Sequence, residues 1–261
     1  MRTAIIGTGN VATHLAKALE KEGAVGVNSR NLEGMPEECD LAIISVKDDA
    51  IAEVAQKLMG RAKIIAHTSG SVPADALKGC SERYGVFYPM QTFTKGVTMD
   101  YSEIPFFIEG SDTATEEALT SLALMISPNV RKAGSSARKR LHLSAVFACN
   151  FTNCLMGIAD ELLKESGMDY TVMLPLLKQT VGKLYGTSPA MAQTGPAARG
   201  DLKTIEAHLA MLSDKPHLQD IYLALTKRIL DSNLKAGKLT IADFPKDKKS
   251  ADFPTDINNP E

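Results

Sequence analysis

Apolar and polar residues alternate along the first half of the chain at two different periods. Short apolar runs at Thr3–Ile6, Ala24–Asn28, Leu41–Val46, Lys63–His67, Gly85–Tyr88 and Pro105–Glu109 predict strands. Segments with helical spacing, Val11–Lys21, Asp49–Leu58 and Thr115–Ile126, fall between them. This alternation predicts a mostly parallel sheet with helices on its faces. The connection SRNLEGMPEEC between the second and third strands is too short for a full crossover helix, so that side of the sheet is expected to be trimmed.

After Gly134-Ser135-Ser136 the character changes and strands are no longer expected. Ala137 to Ser166 holds no proline and is followed by Gly167, a good stop, which predicts one helix of about 30 residues and roughly 45 Å. Further helices are predicted at Tyr170–Leu184, starting after Asp169 and bent at Pro175, at Leu202–Leu212 after Asp201, and at Pro216–Lys235. The closing TIADFPKDKKSADFPTDINNPE reads as a polar surface tail. The expected architecture is a Rossmann-like α/β domain over residues 1–133 and an all-α domain over 134–261, similar to the C-terminal domain of 6-phosphogluconate dehydrogenase.

The first strand, a glycine-rich turn and the first helix together make a dinucleotide-binding unit, AIIGTGNVATHLAKAL. Gly7 would form the tight turn, Gly9 would let a pyrophosphate approach the backbone, and Ala12 would take the close helix–strand contact. Thr8, Asn10 and Val11 complete the loop and the helix start, whose free N–H groups and positive dipole end suit phosphates. At the end of the second strand, where NAD-binding units usually place a carboxylate, stands Asn28-Ser29-Arg30. With no acid there, Arg30 and Ser29 favour the 2′-phosphate of NADP; the rival reading of Arg30 is a solvated loop residue. Ser45-Val46-Lys47 and Ser69-Gly70 leave strand ends on the same side, with helix capping and a simple turn as their rival roles.

The long helix carries a polar stripe. Lys139, His142, Val146, Asn150 and Asn153 lie at offsets that fall within about 60° of one another on a regular helix. His142 or Lys139 would give a proton to a carbonyl or imine as hydride arrives, and Asn150 would orient the substrate. The plainer alternative makes Arg138, Lys139 and Arg140 a solvated helix start, with His142 satisfied by a backbone carbonyl. In the loop Gln193–Asp201, Asp201 suits an N-cap, and Arg199 would pair with it or bind an anion.

Composition narrows the partners. With 29 Lys and Arg against 31 Asp and Glu the formal charge is −2, which offers nucleic acid no general attraction. Four cysteines without C-x-x-C spacing read as reduced thiols, and no metal site is expected. The N-terminus lacks the look of a signal peptide, and no window approaches eighteen uninterrupted apolar residues. These features predict a cytoplasmic, soluble protein with no membrane span.

GTGNVA, NSR, SVKDDAI, HTSGSVPADAL, FYPMQTF, LHLSAVFACNF and TGPAARGD resemble a bacterial family with a Rossmann-like N-terminal domain and a helical C-terminal domain of unknown function. More distantly, the chain is similar to pyrroline-5-carboxylate reductases, deazaflavin-dependent NADP reductases and the 6-phosphogluconate or 3-hydroxyacid dehydrogenases. The resemblance implies NADP at Gly7–Ala12 and Ser29-Arg30, a small-molecule substrate, and a homodimer through the helical domain. In the hydroxyacid dehydrogenases asparagine follows the helix lysine by four residues, whereas Leu143 follows Lys139 here, which argues against hydroxyacid oxidation. The expected activity is NADP-dependent reduction or oxidation of a small carbonyl or imine compound. An NADP-binding or sensing protein without turnover is the alternative.

Overall fold

The computed structural model describes residues 1–235 and 237. They belong to two compact units, Met1–Glu161 and Leu162–Glu261. The polar stretch from residue 240 onward, read above as a tail, lies outside the described residues.

The first unit is built on a seven-stranded sheet: β1 (Thr3–Ile6), β2 (Val25–Val27), β3 (Leu41–Ile44), β4 (Ile64–His67), β5 (Arg83–Pro89), β6 (Phe106–Gly110) and β7 (Val130–Lys132). Their spatial order is β2-β1-β3-β4-β5-β6-β7. Every pairing is parallel except β5 with β6. All six expected strands are present. The seventh, VRK, is a short edge strand whose three residues include two charges, too little apolar pattern to read in advance.

Helices α1 (Asn10–Ala18), α2 (Ile51–Lys57) and α3 (Thr113–Leu124) are the regular crossovers. No helix spans the chain between β2 and β3, as its length requires. The central strands are apolar on both sides, as strands sandwiched between helical layers must be. Successive side chains point to opposite faces. Ile5, Leu41, Ile43, Phe87 and Phe106 therefore pack with Leu15, Leu19 and Leu119 on one side. Ile6, Ala42, Ile44 and Ile65 pack with Ile51, Val54 and Leu58 on the other.

A helical stretch then runs from Ser135 to Glu165: α4 (Ser135–Ala145), a π-helical turn (Val146–Phe151) and α5 (Thr152–Glu165). The expected single regular helix is thus interrupted by a widened turn, a feature that recurs at functional sites. By length and composition this stretch is long and apolar enough to cross a membrane, and its most apolar window has no buried residue. That finding corrects the expectation drawn from uninterrupted apolar runs: Asn150, Thr152 and Asn153 break the run without lowering the average enough. The helix stops at Gly167, whose φ of 70° suits the left-handed stop it was assigned.

In the second unit, a 3-10 turn (Tyr170–Met173) leads into α6 (Leu174–Lys183). Pro175 sits in the first turn of α6 and therefore introduces no bend, since that position needs no amide hydrogen. Two single turns, α7 (Pro189–Ala192) and α8 (Pro196–Arg199), occupy a region expected to be mostly loop. Then come α9 (Leu202–Met211) and α10 (Pro216–Lys235). Ala197, Leu202, Ile205 and Leu230 form the unit's small core. Asp201 caps α9 as expected, accepting from the Thr204 amide at 3.1 Å and its hydroxyl at 2.8 Å.

Candidate functional site

A cavity of about 810 Å³ opens along the carboxyl ends of β1 to β5, the edge where parallel sheets of this kind bind ligands. Its volume falls within the range of ordinary ligand pockets. Five loops and one helix supply its wall, all from the first unit.

The glycine loop enters first. Gly7 has φ +142°, and a Cβ there would lie 2.2 Å from the Ser45 carbonyl oxygen, so only glycine lets β1 turn against β3. At Gly9, by contrast, a Cβ would meet nothing within 4 Å. Gly9 is the N-cap of α1, and no side chain caps that helix. Its first amides are therefore free for an anion, and the bare α-carbon leaves room for one to come close. Thr8, Gly9, Asn10 and Val11 line the cavity, whereas Gly7 and the buried Ala12 support the loop from below. The Asn10 side chain donates to the Phe93 carbonyl at 2.8 Å and so ties the helix start to the loop after β5.

Ser29 and Arg30 lie on the cavity wall, next to Asn28, which does not. The Asn28 side-chain oxygen accepts the Arg30 amide at 2.9 Å and shapes that turn. Ser45, Val46 and Lys47 also line the cavity. Of the acids there, Glu53 is paired with Lys57 at 2.8 Å and Asp48 accepts from Ser71. Among the described residues Arg30 and Lys47 have no ion-pair partner, which leaves two cations facing the cavity.

The loop after β4 closes the other end. His67 is fully buried, and its Nδ1 accepts the Ser69 amide at 3.1 Å. Burial pushes its pKa down to about 4, with the Arg138 charge in the same direction and the Pro73 carbonyl opposing, so the ring is neutral at physiological pH. The Ser69 hydroxyl accepts from the amides of Ser71 and Val72 at 3.1 and 3.0 Å. Ser69 thus lines the cavity and also folds its own loop.

Helix α4 is pinned onto this loop by Arg138, the largest fully buried side chain. Its guanidinium donates to the Glu109 carboxylate, to the Ser69 carbonyl at 3.2 Å and to the Val72 carbonyl at 2.6 Å. The Ser135 hydroxyl adds a 2.9 Å bond to the same carboxylate. Arg138 therefore does not belong to a solvated helix start, because an unpaired sheet carboxylate and two loop carbonyls draw it inward.

One turn later His142 reaches the cavity. Its Nδ1 lies 3.2 Å from the Tyr88 hydroxyl, and its ring packs on Gly70, where a Cβ would come within 2.7 Å of the imidazole. Of the three residues expected to act on substrate, the structure brings only His142 to this cavity. Lys139 and Asn150 are exposed on the helix and do not line it, and the π-helical turn begins between His142 and Asn150. Sequence reasoning missed Tyr88, which lines the cavity, and Arg138, which braces it. Tyr88 reads as an ordinary strand residue, and Arg138 hides among three consecutive basic residues. Among the described residues no group of three or more acids, histidines and cysteines is placed to hold a metal.

Residues 104–229 match a family described as a domain of unknown function, DUF2520. No curated protein matches the chain. Among solved structures, the "putative NADP oxidoreductase BF3122 from Bacteroides fragilis" is 40% identical with a TM-score of 0.82, over 88% of this chain and 98% of that one. Protein TM1727 from Thermotoga maritima is 20% identical with a TM-score of 0.70, over 92% of this chain and 100% of that one. A reductive aminase from Aspergillus terreus, solved with NADPH and ethyl levulinate, is 15% identical with a TM-score of 0.65, over 90% and 94%. The last two share the fold. With 40% identity across nearly the whole Bacteroides protein, this chain belongs to that protein's family and carries a DUF2520 region over residues 104–229.

Proposed function

We propose that the chain is an NADP-dependent oxidoreductase that transfers hydride between NADP(H) and a small carbonyl or imine compound. One observation carries this reading. A single cavity joins an uncapped helix start at a bare Gly9, a cation at the end of β2 with no acid beside it, and a histidine–tyrosine pair. The residues present fit the coenzyme: Thr8 to Val11 would hold the pyrophosphate, Ser29 and Arg30 the 2′-phosphate, and Val46, Lys47 and Ser69 the ribose and nicotinamide side. When bound, NADPH supplies the hydride. His142 and Tyr88 then stand at the end of the cavity where a proton is needed.

The Bacteroides relative's name and the NADPH in the Aspergillus enzyme support the same cofactor and an imine or carbonyl substrate. Residues 1–133 would form the NADP-binding domain. Residues 134–261 would carry the substrate and dimerisation surfaces, a role that exposed Leu176, Tyr185, Met191 and Met211 support. A cytoplasmic homodimer is the expected state, and sedimentation velocity will show it.

Calorimetry with NADPH and NADH, followed by a turnover screen of ketoacids, aldehydes and cyclic imines, tests the proposal. His142→Ala and Asn150→Ala serve as controls. Binding of NADPH with consumption by one of these substrates is expected, and no heat from either coenzyme at millimolar concentration overturns the reading. Binding without any turnover would make the chain a sensor.

A further inference from the structure

Within the reductase reading, on which this inference rests, we propose that the Tyr88 hydroxyl delivers the proton to the substrate's nitrogen or oxygen and that His142 stands behind it as the proton reservoir. Tyr88 is the penultimate residue of β5, at the strand's carboxyl end, and lines the cavity. Its hydroxyl and the His142 Nδ1 are 3.2 Å apart, with the rings edge to face at 76°. Among the described residues neither the hydroxyl nor the His142 Nε2 has another hydrogen-bond partner.

The pair is held rather than merely adjacent. Gly70 presses on the imidazole from one side, where any side chain would collide with it. Arg138, four residues earlier on the same helix face, bonds to the carbonyl of Ser69, next to Gly70. Helix and loop thereby fix the ring against Tyr88.

A hydrogen bond between a phenol and an imidazole nitrogen can place its proton on either partner, and the chemistry of reduction chooses between them. With hydrogen on Nδ1, the tyrosine oxygen accepts from the ring and offers its own O–H to the cavity. In the reverse arrangement the cavity is offered the N–H of a neutral imidazole, a much weaker acid than a phenol. Burial raises the Tyr88 pKa, with Arg138 opposing, so the hydroxyl keeps its proton at neutral pH.

The step balances. As the substrate carbon takes hydride from the reduced nicotinamide, the C=N or C=O π pair moves onto nitrogen or oxygen. That atom takes the Tyr88 proton, Tyr88 takes the Nδ1 proton, and His142 recovers one from solvent through Nε2. The substrate gains two electrons and the nicotinamide loses them. Nearby charges leave the relay undisturbed: Glu109 of β6 matches Arg138 of α4, His67 of β4 is neutral, Ser71 engages Asp48, and Lys47 faces the cavity from the same loop as Asp48.

The test uses the full chain labelled with ¹⁵N-histidine, with His142→Gln assigning the resonance among the five histidines. The deprotonated His142 ring is expected to carry its hydrogen on Nδ1, and Tyr88→Phe is expected to return it to the usual Nε2 form. In turnover, Tyr88→Phe should lose about 100-fold in kcat, within the usual contribution of a general acid, with NADPH affinity changed less than about twofold. His142→Gln should lose less. An Nε2-protonated ring in the unmodified protein, a tautomer indifferent to Tyr88→Phe, or a Tyr88→Phe enzyme within about threefold of wild-type kcat each overturns the proposal. A wild-type chain that binds no NADPH in calorimetry removes the reductase reading and the tyrosine's role with it, whereas an inert Tyr88→Phe substitution removes only the latter.

Discussion

Arg138 and Glu109 meet where α4 crosses the end of β6, the guanidinium fully buried and the carboxylate about a fifth exposed. A charge removed from water holds only if every donor is used, and here the two loop carbonyls of Ser69 and Val72 take the rest. The loop that borders His142 is thus tied to the helix that carries it.

Removing the guanidinium should therefore cost both stability and geometry. Arg138→Ala is expected to lower the unfolding free energy by about 3–5 kcal/mol, the usual cost of leaving one partner of a buried pair alone. Urea titration gives the first quantity, and hydrogen exchange of the 69–72 amides should rise in parallel. A change below about 1 kcal/mol would mean that water replaces the guanidinium without penalty.

The two glycines of the first loop should separate folding from binding. Gly7→Ala forces a carbon onto the Ser45 carbonyl and should destabilise the fold, as a lower melting temperature will show. Gly9→Ala meets no protein atom and has φ −74°, which alanine adopts freely. It should melt like the wild type yet bind NADPH at least about tenfold more weakly, because the methyl occupies space meant for the diphosphate. Unchanged affinity in Gly9→Ala would place the phosphates elsewhere.

Arg30 should set coenzyme preference. A charge-assisted bond to phosphate contributes about 1.5–3 kcal/mol, so Arg30→Asp should weaken NADPH roughly 10- to 100-fold while NADH changes little. Equal losses for the two coenzymes in calorimetry would show that Arg30 does not read the 2′-phosphate.

His67 should make the fold acid-sensitive. In the unfolded chain its imidazole takes a proton near pH 6.5, whereas burial holds it off until about pH 4 in the folded state. The unfolded chain thus binds more protons in that window, and stability must fall as pH drops from 6.5 to 4, by roughly 3 kcal/mol. Above pH 6.5 this contribution is complete and flat. Urea midpoints at several pH values will trace the slope, which His67→Asn should lack.

What could be read in advance was whatever depends on near neighbours in the chain. Gly7 and Gly9 announce themselves because strand, turn and helix are contiguous. Arg30 stands out because an acid is missing at a place where local order demands one. Asp201 is an N-cap whose partner is three residues away. The rest depends on residues that only the fold brings together. The partners of Arg138 lie 29 to 69 positions away, and nothing local marks it as different from Arg140. Tyr88 acquires a chemical neighbour 54 residues downstream. Asn150 was placed by assuming an evenly wound coil, and the winding is not even.

That unevenness has a further reach. The turn at Val146–Phe151 bonds five residues back rather than four, which is how a coil swallows a single surplus residue without breaking. Shedding one residue there would restore ordinary pitch and swing Asn153 and Cys154 by about 100° relative to His142. A lineage that gained or lost this residue would keep its coenzyme grip and its histidine while presenting a newly aimed set of side chains downstream, so selectivity can drift by a length change of one where point substitution would have to proceed in many steps.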